Sequence, residues 1–380
     1  MSKITHTNNA SIKGAYVPKV EGRAVRTVLV TGSDGQLGRS IYDVCQDAGL
    51  KAIDGNNLRW IFTARKATDQ IELDDLLDIT SEEDIHRVLG KWHPDAIINC
   101  AAYTDVERAE THMDEAAKVN VEAVSLLANA AAECGALLVH FSTDYVFDGE
   151  KKSGAYTEND QPHPINAYGM SKYRGELFAQ RSGADVTVIR TSALFSEYGK
   201  NFVKTMCRLM SEKESVSVVN DQTVSPTYAR DLAEFVVNLV HFRFATPSLD
   251  CSSSDYTLLD SASSYCSSSD STSSAGTCMK LSDTPFKGFN ILNFTNEGMC
   301  TWYELAEEIS KLIGNSKCSV RQCTSEEYPS CVARPRFSVL DKTAAKSKGN
   351  ICEIPIWRDA LMRCLGNLGY IRGGGNLCAE

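Results

Sequence analysis

The sequence predicts an α/β protein, a doubly wound parallel-sheet Rossmann domain with a smaller C-terminal α/β substrate domain. Three observations lead there. A β-branched run, a glycine loop and an amphipathic helix follow one another directly over residues 26–49. Apolar strand-like runs then alternate with segments of helical period along most of the chain. Polar side chains gather just beyond the ends of those runs, where open parallel sheets bind their ligands.

The first strand covers residues 26–31 and runs into Gly32-Ser33-Asp34-Gly35-Gln36-Leu37-Gly38. Leu37, Ile41, Val44, Cys45 and Ala48 recur at helical spacing, and Gly49 suits the helix end. Glycines in this context let the backbone approach a pyrophosphate, while the helix N-terminus offers it free N–H groups. The second strand, residues 60–64, ends in Arg65-Lys66. An NAD site usually carries an acid there to bind the ribose hydroxyls, whereas a basic pair suits the 2′-phosphate of NADP. NADPH is therefore the expected cofactor, with NADH left open. Asp78-Ile79 precedes a helix-capping signal at residues 80–84, and residues 95–102 read as a buried parallel strand.

A long helix is expected over residues 114–133, closed by Gly135, then a strand over 137–141 that ends in Ser142-Thr143-Asp144-Tyr145. Tyr168 and Lys172 follow at the start of the next helix, four residues apart and so on one face. A phenol beside an ammonium is a candidate proton donor to a carbonyl oxygen, because the cation stabilises the phenolate. Beyond a strand at 186–190, helices are expected over 200–212, 227–242 and 301–313, with strands at 216–219 and 288–294. Residues 248–282 are dense in Ser and cannot bury enough apolar surface to offset their ordering entropy. The expected organisation is a flexible tail at 1–26, a cofactor-binding domain at 27–190 and a substrate domain at 191–373. The latter is interleaved with the sheet and carries a disordered insertion at 246–285.

Composition narrows the function. A net charge of -10 gives no electrostatic support for nucleic-acid binding. No run approaches the roughly 20 apolar residues of a membrane span, and the polar start lacks a secretory signal. The fourteen cysteines are scattered without a Cys-x-x-Cys or a zinc spacing, so reduced thiols, no metal site and a cytoplasmic location are expected.

With the glycine loop, Thr143, Tyr168 and Lys172 in this order, the chain resembles the extended short-chain dehydrogenases/reductases. Within them it is most similar to the dTDP-4-dehydrorhamnose reductase family. The similarity rests on residues 30–38, on Ala101-Ala102-Tyr103-Thr104-Asp105-Val106 continuing to Glu110, and on residues 142–149, 220–227, 328–329 and 333–341. It implies NADPH-dependent reduction of the C4 ketone of dTDP-4-dehydro-L-rhamnose. Tyr168 would donate the proton, Lys172 would hold the nicotinamide ribose and lower the Tyr168 pKa, and Thr143 would bond the same oxygen. The resemblance places Gly32, Gly35, Gln36, Leu37, Gly38, Arg65, Asp78, Ile79, Ala102, Tyr103, Thr104, Tyr168 and Lys172 at the cofactor. It places Thr143, Asp144, Tyr145 and Val106 at the sugar, the C-terminal part around the thymidine diphosphate, and leaves a homodimer open. Where the family usually has a Trp after Arg190-Thr191-Ser192, this chain has Ala193, which leaves the exact sugar open. The residues also suit a different class, a non-catalytic NADP-binding regulatory subunit similar to the β subunit of methionine adenosyltransferase.

Overall fold

The computed structural model describes residues 25–50, 57–244, 288–348 and 353–371. The expected Ser-rich insertion and all but the last two residues of the expected tail lie outside the described residues. The first half runs β1 (Arg26–Thr31), α1 (Gln36–Asp47), β2 (Leu58–Ala64), β3 (Asp75–Leu76), α2 (Glu82–Trp92) and β4 (Ala96–Asn99). It continues through α3 (Val106–Thr111), α4 (Met113–Ala117), α5 (Ala123–Cys134), β5 (Leu137–Thr143), α6 (Ala167–Arg181) and β6 (Asp185–Thr191). Then come β7 (Leu194–Phe195), α7 (Phe202–Glu212), β8 (Ser215–Val219), β9 (Thr223–Val224), β10 (Thr227–Tyr228) and α8 (Ala229–Phe244). The chain closes with β11 (Phe289–Asn293), β12 (Cys300–Thr301), α9 (Trp302–Leu312), β13 (Ser319–Cys323), α10 (Thr343–Lys348) and α11 (Trp357–Asn367).

Seven parallel strands form the main sheet in the order β11-β6-β5-β4-β1-β2-β3. The chain winds outward in both directions from β1 and β4, so a crevice opens between their carboxyl ends. Alternation within β1 supplies both faces. Val28 and Val30 pack with Ile41 of α1 and Val236 and Val240 of α8. Leu29 faces the other way, among Ile85 of α2 and Val124 and Leu127 of α5. Two buried faces explain why these strands are apolar throughout. A separate cluster joins Val203 and Met206 of α7 to Val216, Leu305, Ile309 and Leu361. It is the core of the smaller layer built from β8, β13, α7, α9 and α11.

Several expected boundaries shift for local reasons. The helix expected over 114–133 contains a π-turn at Lys118–Glu122, which carries Asn120 toward the site. The strand expected to reach residue 102 pairs only over Ala96–Asn99, and beyond it the Tyr103 backbone is held by a side chain instead. The helix expected from residue 227 begins at Ala229, because Thr227 and Tyr228 pair with Leu194 and Phe195. Beyond residue 313 the structure adds β13, α10 and α11, and α11 buries Trp357, Ala360, Leu361, Cys364 and Leu365 along one face.

Candidate active site

Because the main strands are parallel, their carboxyl ends share one edge, and the expected site residues collect there. Gly32 to Gly38 follow β1, Arg65 follows β2, Asp78 and Ile79 follow β3, and Ala102 to Val106 follow β4. Thr143 closes β5, with Asp144 and Tyr145 in the 3-10 turn beyond it.

The glycine loop turns because Gly32 adopts φ +61°, and it sits so close to the next strand end that a Cβ would lie 2.6 Å from the Ala101 nitrogen. A Cβ on Gly38 would lie 2.3 Å from the Gly32 carbonyl oxygen. Gly35 caps α1 without a side-chain hydrogen bond, so the first N–H groups of the helix are left for an anion. Gln36 instead spends its side-chain oxygen on Ser196 Oγ and Asn201 Nδ2, at 3.1 and 3.0 Å. That pair ties the loop before α7 across the start of α1. Arg65 is exposed, and Asp78 beside it is held below the usual carboxylate range. Burial opposes this direction, but hydrogen bonds from Thr80 and the charges of Arg65 and Lys118 outweigh it. A cradle closed to side chains, an uncapped helix start and an exposed cation at the end of β2 fit a dinucleotide phosphate.

Asn120 is a site residue that sequence reasoning missed. Its Oδ1 accepts the Tyr103 N–H at 2.9 Å, and its Nδ2 donates to the Tyr103 carbonyl at 3.0 Å and to Ser171 Oγ at 2.9 Å. One buried amide therefore fixes the loop after β4 against α6. The start of α6 is held as firmly. Asn166 Oδ1 caps the Gly169 N–H at 2.7 Å, and Glu110 accepts the Ala167 N–H at 2.7 Å. A Cβ on Gly169 would lie 2.2 Å from the Tyr145 carbonyl oxygen, so only glycine lets α6 approach this closely.

That approach sets the Tyr168 ring edge-on to the Tyr145 ring, with centroids 6.1 Å apart. Burial pushes the Tyr168 phenol up to about 12; a hydrogen bond with Thr143 opposes the shift and the Asp144 charge adds to it. The direction is the reverse of the expected lowering by Lys172. Lys172, 2% exposed, is itself brought down to about 8 by burial, with Glu176 opposing. A phenol held neutral suits a proton donor. His140, on β5, is buried and kept neutral by burial and by the nearby Lys172 charge, with Nδ1 3.2 Å from Asn99 Nδ2.

Glu176 lies one turn beyond Lys172 and forms a two-point pair with Arg190, at 3.0 and 2.7 Å, both side chains being buried. Removing one partner strands a buried charge. Arg190→Met is therefore expected to lower unfolding stability by about 3–5 kcal/mol, read from the denaturant midpoint. An unchanged midpoint would show that the pair contributes nothing.

Asp144 departs from its expected place on the sugar. Its side chain is 2% exposed, and its oxygens accept hydroxyls from Thr143, Ser192 and Ser338 at 3.1, 2.7 and 2.5 Å. The carboxylate is consumed within the protein. Tyr145 stays half-buried beside Tyr168, and Val106, also half-buried, begins α3. Ala193 occupies left-handed backbone at φ +44° and accepts the Thr227 N–H at 3.3 Å. A cavity of about 270 Å³ opens with Gln222, Glu326, Tyr328, Arg334 and Arg336 in its wall. Arg334 pairs with Glu107 and so joins this wall to α3.

Comparison with known proteins agrees with this geometry. The model of the RmlD substrate binding domain matches residues 26–258 and 272–369. A dTDP-4-dehydrorhamnose reductase of Aggregatibacter actinomycetemcomitans is 33% identical over 83% of this chain and 90% of its own. The spore coat polysaccharide biosynthesis protein SpsK of Bacillus subtilis is 31% identical over 89% of this chain and 96% of its own. Among solved structures, the dTDP-4-dehydrorhamnose reductase of Bacillus anthracis in complex with NADP superposes with a TM-score of 0.69. It is 31% identical, over 90% of this chain and 99% of that one. With a site of this shape on such a sheet, and matches that span nearly all the described residues, the chain belongs to the RmlD family, that of the dTDP-4-dehydrorhamnose reductases.

Proposed function

We infer that the protein is an NADP-dependent oxidoreductase that reduces the C4 ketone of dTDP-4-dehydro-L-rhamnose to dTDP-L-rhamnose. The observation that carries this reading is the neutral Tyr168 phenol beside Thr143 and Lys172, at the sheet edge where the glycine loop ends. NADPH, when bound, supplies the hydride. The residues do the rest. The start of α1 and Arg65 would hold the phosphates, and Asn120 keeps the Tyr103 loop in place along the cofactor. Lys172 would bond the nicotinamide ribose from a site that excludes water. Tyr168 gives its proton to the oxygen that becomes the C4 hydroxyl.

The cavity walled by Arg334 and Arg336 supports a nucleoside diphosphate as the remote part of the substrate, with Arg336 as the cation free of a salt bridge among the described residues and Arg334 held by Glu107. Binding energy gained there can be spent on aligning the ketone. Among the described residues, no helix is long and apolar enough to cross a membrane. Cytoplasmic residence and a homodimeric state belong to the same reading and rest on the family resemblance. Steady-state NADPH consumption tests it. Addition of dTDP-4-dehydro-L-rhamnose is expected to start turnover, while the epimeric 4-keto-6-deoxyglucose nucleotide turns over more slowly. Equal rates with both would overturn the choice of sugar.

A further inference from the structure

Three charged side chains stand in the wall of the cavity, Arg334, Arg336 and Glu326. A fourth reaches Arg334 from the other half of the molecule. Glu107, in the first turn of α3, accepts from Arg334 Nη2 and from Ser330 Oγ, the latter at 2.9 Å. Ser330 closes the triangle, because its oxygen also accepts from Arg334 Nη1 at 2.7 Å. Both terminal nitrogens of the guanidinium are therefore engaged, one by the carboxylate and one by the hydroxyl that bonds the same carboxylate.

The two partners are not held equally. The Arg334 side chain is 20% exposed and that of Glu107 49%. Next to Arg334 the backbone is fixed as well, since the Ala333 carbonyl accepts from Asn166 Nδ2 at 2.9 Å. The cation is thus seated in the protein, while the acid has room in solvent to swing away. Glu107 also cancels the excess of one positive charge that the wall residues would otherwise carry. A phosphate binds through the same fork of guanidinium N–H groups as a carboxylate. It cannot take both terminal nitrogens of Arg334 while Glu107 keeps one. We propose that Glu107 is a displaceable counter-ion: the diphosphate of the nucleotide sugar takes its place on Arg334, so the cavity admits only ligands with enough negative charge to make that exchange. The inference rests on the reading of this cavity as the nucleoside diphosphate site.

Titration calorimetry of the full chain with dTDP tests the proposal without turnover. Glu107→Gln keeps the shape of the side chain and removes the competing charge. Its dissociation constant for dTDP is expected to fall by about two- to fivefold, the range for a partly exposed ion pair. Arg334→Gln is expected to weaken dTDP binding, and Glu107→Gln added to it to recover little, because the acid then has no cation to compete for. An unchanged or weaker dTDP affinity in Glu107→Gln would mean that the acid orients Arg334 for the ligand, and it overturns the proposal. An equal gain in the Arg334→Gln background would reduce the effect to general repulsion and overturn it too. No dTDP binding by any of these proteins would remove the diphosphate site itself, and the exchange with it. Turnover is measured separately: a protein that binds dTDP as described yet reduces no sugar would sink the proposed function and leave the exchange at Arg334 standing.

Discussion

Tyr168→Phe is expected to lower kcat by about 10²–10⁴-fold, the range for loss of a positioned general acid, while NADPH binding changes little. The ring still packs edge-on against Tyr145, and Gly169 still seats α6 on the Tyr145 carbonyl. The substitution removes only the hydroxyl, whose proton is retained well above neutral pH because burial raises its pKa. A fall in kcat with an unchanged dissociation constant for NADPH separates proton donation from cofactor binding. Should Tyr168→Phe retain more than a tenth of wild-type kcat, another group must deliver the proton.

Lys172→Met is expected to remove most activity and, at the same time, to stabilise the cofactor-free protein at neutral pH. The folded pKa of about 8 lies below the 10.5 of an unburied lysine. The buried ammonium therefore costs stability fully below pH 8, and the cost fades as pH rises from 8 to 10.5. The shift corresponds to a cost on the order of 3 kcal/mol at pH 7. Met fills much of the same volume without the charge, although Glu176 loses a nearby cation and keeps Arg190. Thermal melts of both proteins from pH 7 to pH 10 should show the variant ahead at pH 7 and the lead shrinking as pH rises. A variant less stable than wild type at pH 7 would mean that Lys172 stabilises the fold, contrary to its burial.

What the sequence made legible was local. The strand, glycine loop and helix at residues 26–49 form one continuous pattern. Tyr168 and Lys172 lie a fixed helical step apart. Strand ends could be placed as well, because buried parallel strands are apolar runs and Thr143 closes one. What stayed hidden depends on contacts made across the fold. Asn120 sits in a helix of otherwise ordinary period, and the π-turn that turns it onto Tyr103 leaves no mark in the residue pattern. Asp144 stands beside Thr143 at a strand end and so suggested a residue facing the ligand. Its burial follows from Ser192 and Ser338, whose positions only the tertiary structure supplies. Lys172 was expected to act on Tyr168 chiefly as a charge. Enclosure of both groups reverses the sign, because desolvation depends on everything packed around them.

The central claim is that this site moves a hydride to the sugar carbon bearing the ketone. The most direct test is a single turnover with NADPH carrying deuterium at the transferable position, followed by NMR of the nucleotide sugar. The account predicts deuterium at C4 of dTDP-L-rhamnose in wild type and almost none with Tyr168→Phe. Tight NADPH binding with no label in any sugar would contradict it, and that outcome is the behaviour of a cofactor-binding regulatory subunit.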